Sequence, residues 1–189
     1  LSAIPAPRFL RGVLLVLAIV LGANGAASGI AGQSAPDAVD VPDEVRRTDY
    51  LLACNRRDPV ACYGLAVMLE QGRGGPAELD RAHALYASAC ARDVIEGCFH
   101  AGAMLVEGRG GFPIDTERGL GFYRKACDGG HAEACFFVAA SHMDRAAASG
   151  PEQALAERGL GRRAFMRACD LGDAKGCFNA GVALSDPAN

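Results

Sequence analysis

The stretch Tyr86-Ala87-Ser88-Ala89-Cys90-Ala91-Arg92-Asp93-Val94-Ile95-Glu96-Gly97-Cys98-Phe99 decides how this chain folds. An aromatic residue is followed three positions later by Ala-Cys, then by seven residues, then by a second cysteine with an aromatic behind it. The same frame occurs four times and takes up every cysteine of the protein, as Cys54 with Cys62, Cys90 with Cys98, Cys127 with Cys135, and Cys169 with Cys177. Spacing within a pair never changes. The first cysteines step by 36, 37 and 42 residues, which is the period of a two-helix repeat array.

Upstream of each first cysteine the spacing is helical: Tyr50-x-x-Ala53, Tyr86-x-x-Ala89, Tyr123-x-x-Ala126 and Phe165-x-x-Ala168, with Ala82, Gly119 and Gly161 one turn earlier in the last three. Residues at i, i+4 and i+7 share one helix face, so ring and small residues form an inward stripe. That stripe reads as core rather than as an aromatic binding box. Downstream of each second cysteine a partner helix begins, with Ala66, Gly102, Ala139 and Gly181 four residues on, where helices can cross closely. Each unit is therefore an antiparallel helix pair, and the chain an all-α solenoid of about four repeats.

Within the first two units the helices are joined by Gly72-Arg73-Gly74-Gly75 and Gly108-Arg109-Gly110-Gly111. Glycine supplies the positive φ that stops a helix and turns the chain. A phosphate-binding loop would need a following Lys-Ser/Thr, which is missing. The third unit has no Gly-x-Gly, so either its loop is longer or its helices are extended, and Pro151 is placed to open the next helix.

Each first cysteine falls in the last turn of one helix and each second cysteine in the first turn of the next. A hairpin such as residues 91–97 can bring their Cα atoms within the roughly 5.5–6 Å of a disulfide. Zinc and iron-sulfur sites put cysteines two to four residues apart, and neither Cys-x-x-Cys nor His-x-x-x-His occurs. Regular pairs in even number favour disulfides formed in an oxidising compartment over metal or redox exchange. The chain-entropy treatment gives about 2.5 kcal/mol for each nine-residue loop, so four would be comparable to the stability of an ordinary domain.

The N-terminal region reads as an export signal at residues 1–27. Arg8 and Arg11 precede the apolar run Val13 to Leu21, and small residues follow, with cleavage expected after Ala27 or Gly25. The run is too short for a typical transmembrane helix, although an uncleaved anchor is the alternative. Residues 28–42, rich in Gly, Ala, Ser, Pro and Asp, read as a flexible linker, and the repeat domain spans residues 43–189. Across the 189 residues the net charge is -3 with scattered cations, which removes the basic footprint of a nucleic-acid binder.

These residues resemble the Sel1-like repeat, a relative of the tetratricopeptide repeat. The resemblance is carried by Ala-x-x-x-Leu/Gly in the first helix, the Gly-x-Gly turn, Asp80 or Glu117 opening the second helix, and (Phe/Tyr)-x-x-Ala within it. With a Cys-x7-Cys in every unit the chain looks most like secreted, cysteine-rich bacterial members. The resemblance implies a right-handed superhelix whose concave face, lined by the first helix of each unit, binds a protein or peptide. It also implies the alternative of weak β-lactamase or penicillin-binding activity.

The residues give that alternative little support. No serine has a lysine three positions later, Gly-x-Ser-x-Gly is absent, and His83, His100, His131 and His142 stand in separate segments. No cofactor or metal is expected. Two positions after the second cysteine stand Gly64, His100, Phe137 and Asn179, unlike one another. Positions that hold a fold repeat and positions that hold a ligand are free to differ, so His100, Phe137 and Asn179 are the candidate peptide-binding residues. The expected function is an exported interaction module in the periplasm or outside the cell, with no nucleic-acid or membrane partner once the signal is removed; the sequence leaves its oligomeric state open.

Overall fold

A computed structural model describes residues 41–185; the export signal and most of the linker expected from the sequence lie outside the described residues. Eight α-helices follow one another, and no strand occurs among the described residues: α1 (Asp43–Asn55), α2 (Pro59–Gln71), α3 (Leu79–Cys90), α4 (Ile95–Glu107), α5 (Thr116–Asp128), α6 (Ala132–Ala148), α7 (Pro151–Asp170) and α8 (Ala174–Ser185). Each helix packs on its neighbours in sequence, as in a solenoid. Helices α2, α4, α6 and α8 form one layer, and α1, α3, α5 and α7 the other.

The stripe read from the sequence is the core. Ala82, Tyr86 and Ala89 on α3 are fully buried, and so are Ala126 on α5 and Ala168 on α7, with Tyr123 and Phe165 nearly so. Full burial of such a ring is worth about 1.5–3 kcal/mol. The small residues sit where backbones touch: a Cβ on Gly102 would lie 2.9 Å from the Gly119 carbonyl oxygen, and one on Gly161 would lie 3.2 Å from that of Ala139. Helix α1 is the exception. Arg46 replaces the small residue and α1 buries none of its residues, with Val45 and Leu52 both exposed.

All four disulfides pair nearest cysteines, with Cα–Cα distances of 4.6, 4.5, 4.6 and 4.4 Å. These are shorter than the 5.5–6 Å expected, at the close end of what a disulfide permits. The reason is the residue before each second cysteine, which is Ala61, Gly97, Ala134 or Gly176 and is always small and buried. A Cβ on Gly97 would stand 2.9 Å from the Tyr86 carbonyl oxygen, so the two helix ends close on each other there. The bonds tie α1 to α2, α3 to α4, α5 to α6 and α7 to α8. They therefore fasten successive repeats rather than the two helices of one repeat.

The departure in the third unit resolves as extended helices. Helix α6 runs 17 residues and α7 runs 20, against 12 or 13 elsewhere. Ala146, Ala147 and Ala148 are strong helix formers. Without a Gly-x-Gly to stop it, the helix continues to Ser149-Gly150, and Pro151 opens α7.

Candidate functional site

The position two after each second cysteine has a defined place: it faces the ring on the helix just before it. The imidazole of His100 stacks on Tyr86 at 5.0 Å and 15°. Phe137 stacks on Tyr123 at 5.1 Å and 12°. At Gly64 the Tyr50 ring comes so close that a Cβ would lie 2.7 Å from it. Phe99 links the two stacked pairs, contacting His100 at 5.6 Å and Phe137 at 6.4 Å. His100 and Phe137 thus belong to an aromatic ladder that cements repeat to repeat.

In the fourth unit Asn179 occupies this position, and among the described residues Phe165 meets the Phe136 ring of α6 at 5.6 Å but is stacked by no ring from α8. The Asn179 amide instead donates to the Lys175 carbonyl at 2.8 Å. The space left is a cavity of about 330 Å³ between α6 and α8, lined by Phe136, Met143, Asp144, Phe165, Asn179 and Val182 among others. Of the three residues singled out in the sequence, only Asn179 lines it. The walls are apolar and Asp144 is the only charge, so the cavity suits an apolar side chain carrying a hydrogen-bonding group within reach of Asn179 or Asp144.

A larger groove, about 690 Å³, follows the disulfide hairpins and is rimmed by Asp93, Glu96, Glu133 and Asp173. These carboxylates already have structural tasks. Asp173 accepts from the Gly176 N–H at 2.5 Å, Asp93 pairs with Lys125 at 3.0 Å, and Glu96 and Glu133 stand in the first turns of α4 and α6, where the helix dipole favours them. His131 accepts from the Ala134 N–H and stacks on Phe99.

Sequence reading passed over a polar latch beside the ladder. The Tyr86 hydroxyl donates to Glu70 at 2.6 Å, and Arg109, from the turn of the following repeat, also donates to Glu70. Burial, with the Glu70 carboxylate second, pushes the Tyr86 phenol far above its usual range. Arg73, the matching residue of the preceding turn, grips Asp43 with two bonds of 3.0 and 2.7 Å, which holds that carboxyl below its usual value. The Gly-Arg-Gly turns are therefore inter-repeat clasps. Burial also lowers the pKa of His100, keeping the stacked imidazole neutral. Among the described residues no group of three or more His, Cys, Asp or Glu is placed to hold a metal ion, and no helix is long and apolar enough to cross a membrane.

Comparison with known proteins agrees with this architecture. The Sel1 repeat family matches residues 59–94 and 95–131. The chain is 29% identical over 125 residues to cytochrome c oxidase assembly factor 7 of Xenopus tropicalis, an alignment covering 64% of this chain and 52% of that protein. Two solved structures share the fold: a protective antigen of uropathogenic Escherichia coli displaying an SLR fold, at 18% identity and TM-score 0.63, and a Sel1 repeat protein from Oxalobacter formigenes, at 16% and 0.61. They are covered over 29% and 55% of their lengths by 74% and 75% of this chain, so the chain spans about half or less of the relatives it matches.

Proposed function

The chain is a Sel1-like repeat helical protein, and on that premise we propose that it is an exported protein-interaction module that takes a peptide side chain between α6 and α8. The carrying observation is the cavity over Phe165, which opens where Asn179 breaks the ladder that Tyr86 with His100 and Tyr123 with Phe137 complete in the preceding units. The ladder supplies a rigid wall, and the interruption supplies a pocket with an amide at its rim. Phe137 borders this surface through its contact with Phe136 at 5.8 Å, and His100 lies further along the ladder, joined to Phe137 through Phe99. Four disulfides in one chain suggest an oxidising, extracellular environment, in keeping with export. The first 27 residues are the proposed signal and residues 28–42 the proposed linker to the repeat domain.

The test is selection of displayed peptides on the oxidised full chain, followed by Asn179→Leu, which fills the cavity without touching the ladder. Selected peptides should share an apolar anchor and lose binding to the variant at least about tenfold, the equivalent of about 1.4 kcal/mol. Peptides that bind the variant unchanged would remove the pocket from the reading. His100→Ala and Phe137→Ala are poorer probes, because each uncovers a core tyrosine.

A further inference from the structure

The outer face of α8 is a socket with nothing described over it. In the interior, three positions of each first helix receive the helix that follows. On α4 these are Phe99, Gly102 and Val106, which meet Tyr123 and Gly119 of α5. On α6 they are Phe136, Ala139 and Met143, which meet Phe165 and Gly161 of α7. The same register on α8 is Phe178, Gly181 and Ser185. Phe178 is 71% exposed, and a Cβ built on Gly181 meets nothing within 4 Å, whereas Ala66 and Ala139 at that register are fully buried.

We propose that this face docks a helix from a partner protein, of the chemistry that fills the equivalent sockets inside the chain: a small residue, an aromatic four positions later, and an alanine three beyond it. The argument is continuity with the α4–α5 and α6–α7 interfaces, where that pattern and no other is the occupant. Among the described residues a second copy of this chain carries it only on α3, α5 and α7, where it is already buried. Helix α1 has the aromatic and the alanine, but Arg46 stands at the small position, paired with Asp43 and bonded to the Val41 carbonyl, and would meet Gly181 with a guanidinium. Helix α8 has no aromatic four residues after either Gly176 or Gly181. The proposed surface, formed by Phe178, Gly181 and Ser185, is separate from the cavity, whose α8 wall is Asn179, Val182 and Ala183.

The probe is a synthetic peptide of α7, Pro151–Asp170 with Cys169→Ser, titrated against the oxidised full chain by fluorescence anisotropy. Saturable binding is expected, weakened about tenfold or more by Gly181→Leu in the protein, by Phe178→Ser in the protein, or by Gly161→Leu in the peptide. Asn179→Leu protein should bind this peptide as the wild type does, which separates this surface from the cavity. Circular dichroism and a count of free thiols confirm that each variant retains its helices and four disulfides. Absence of binding, or binding that survives Gly181→Leu and Phe178→Ser, overturns the proposal. So does a wild-type dimer in sedimentation that Gly181→Leu converts to monomer, since the occupant would then be a second copy.

Discussion

Helices α4 and α8 spell nearly the same phrase, Cys-Phe-His-Ala-Gly-Ala and Cys-Phe-Asn-Ala-Gly-Val, and live in opposite surroundings. Cys98 and Gly102 are buried and Phe99 touches four other rings. Cys177, Phe178 and Gly181 are exposed. In a repeat protein a letter acquires its energetic meaning from the next unit, because each helix pair leaves one face for its neighbour to bury. The largest contrast is expected between aromatics. Tyr86→Ala removes a fully buried ring, its stack on His100 and its bond to Glu70, and should destabilise the chain by about 3–5 kcal/mol. Phe178→Ala should change stability by no more than about 0.5 kcal/mol. Urea unfolding of the two oxidised variants measures both, and similar losses would show that α8 is covered in solution by something that buries Phe178.

The disulfides sharpen the comparison at intermediate magnitude. All four close loops of equal length, so each is worth a similar amount, about 2.5 kcal/mol on chain entropy. Their accessibility is unequal. Cys90–Cys98 and Cys127–Cys135 lie inside the core, whereas Cys177 is exposed and Cys169 and Cys54 are partly so. Attack by a thiolate needs access to sulfur. Graded dithiothreitol followed by alkylation and peptide mapping should therefore find Cys169–Cys177 opened first and the two central bonds last. Simultaneous opening would mean that the solenoid unfolds as one cooperative unit before any bond is reduced.

What was legible in the sequence was local. The ring, the small residue and the cysteine recur within single helices, so α3, α5 and α7 and the sulfur pairing could be read from spacing alone. The close approach at Ala61, Gly97, Ala134 and Gly176 was equally readable, as a small residue before every second cysteine. The contacts of His100 and Phe137 were not. Those side chains vary from unit to unit, which marks them as free of repeat constraint. Yet each leans over a ring of the preceding helix, and how far it leans depends on the stacking of whole units. The latch from Arg109 to Glu70 joins residues 39 apart, across one repeat boundary, where no periodicity points to the partner. The cavity followed from neither pattern alone. It exists because one polar residue fell where three neighbouring units close the gap over the ring.

The smallest expected effect lies in the hairpins, where the two halves of the chain solve one backbone problem differently. Three residues after each first cysteine the chain takes a left-handed turn, with φ of 69° at Arg57, 64° at Asp93, 96° at Gly130 and 94° at Gly172. Glycine adopts this conformation freely, whereas an L-residue with a Cβ is disfavoured there by about 1–2 kcal/mol. Aspartate tolerates it better than arginine, because its short side chain bonds locally. The Arg57 carbonyl accepts from Arg92, a backbone contact that substitution keeps. Arg57→Gly should thus raise stability, by about 0.5–1 kcal/mol after the added freedom of glycine in the unfolded chain is set against the relieved strain. Gly130→Ala should lower it by about 1 kcal/mol for the same reason. Both shifts are measurable in the urea midpoint with m unchanged. A fall on Arg57→Gly would show that the guanidinium, rather than the backbone, holds that first hairpin.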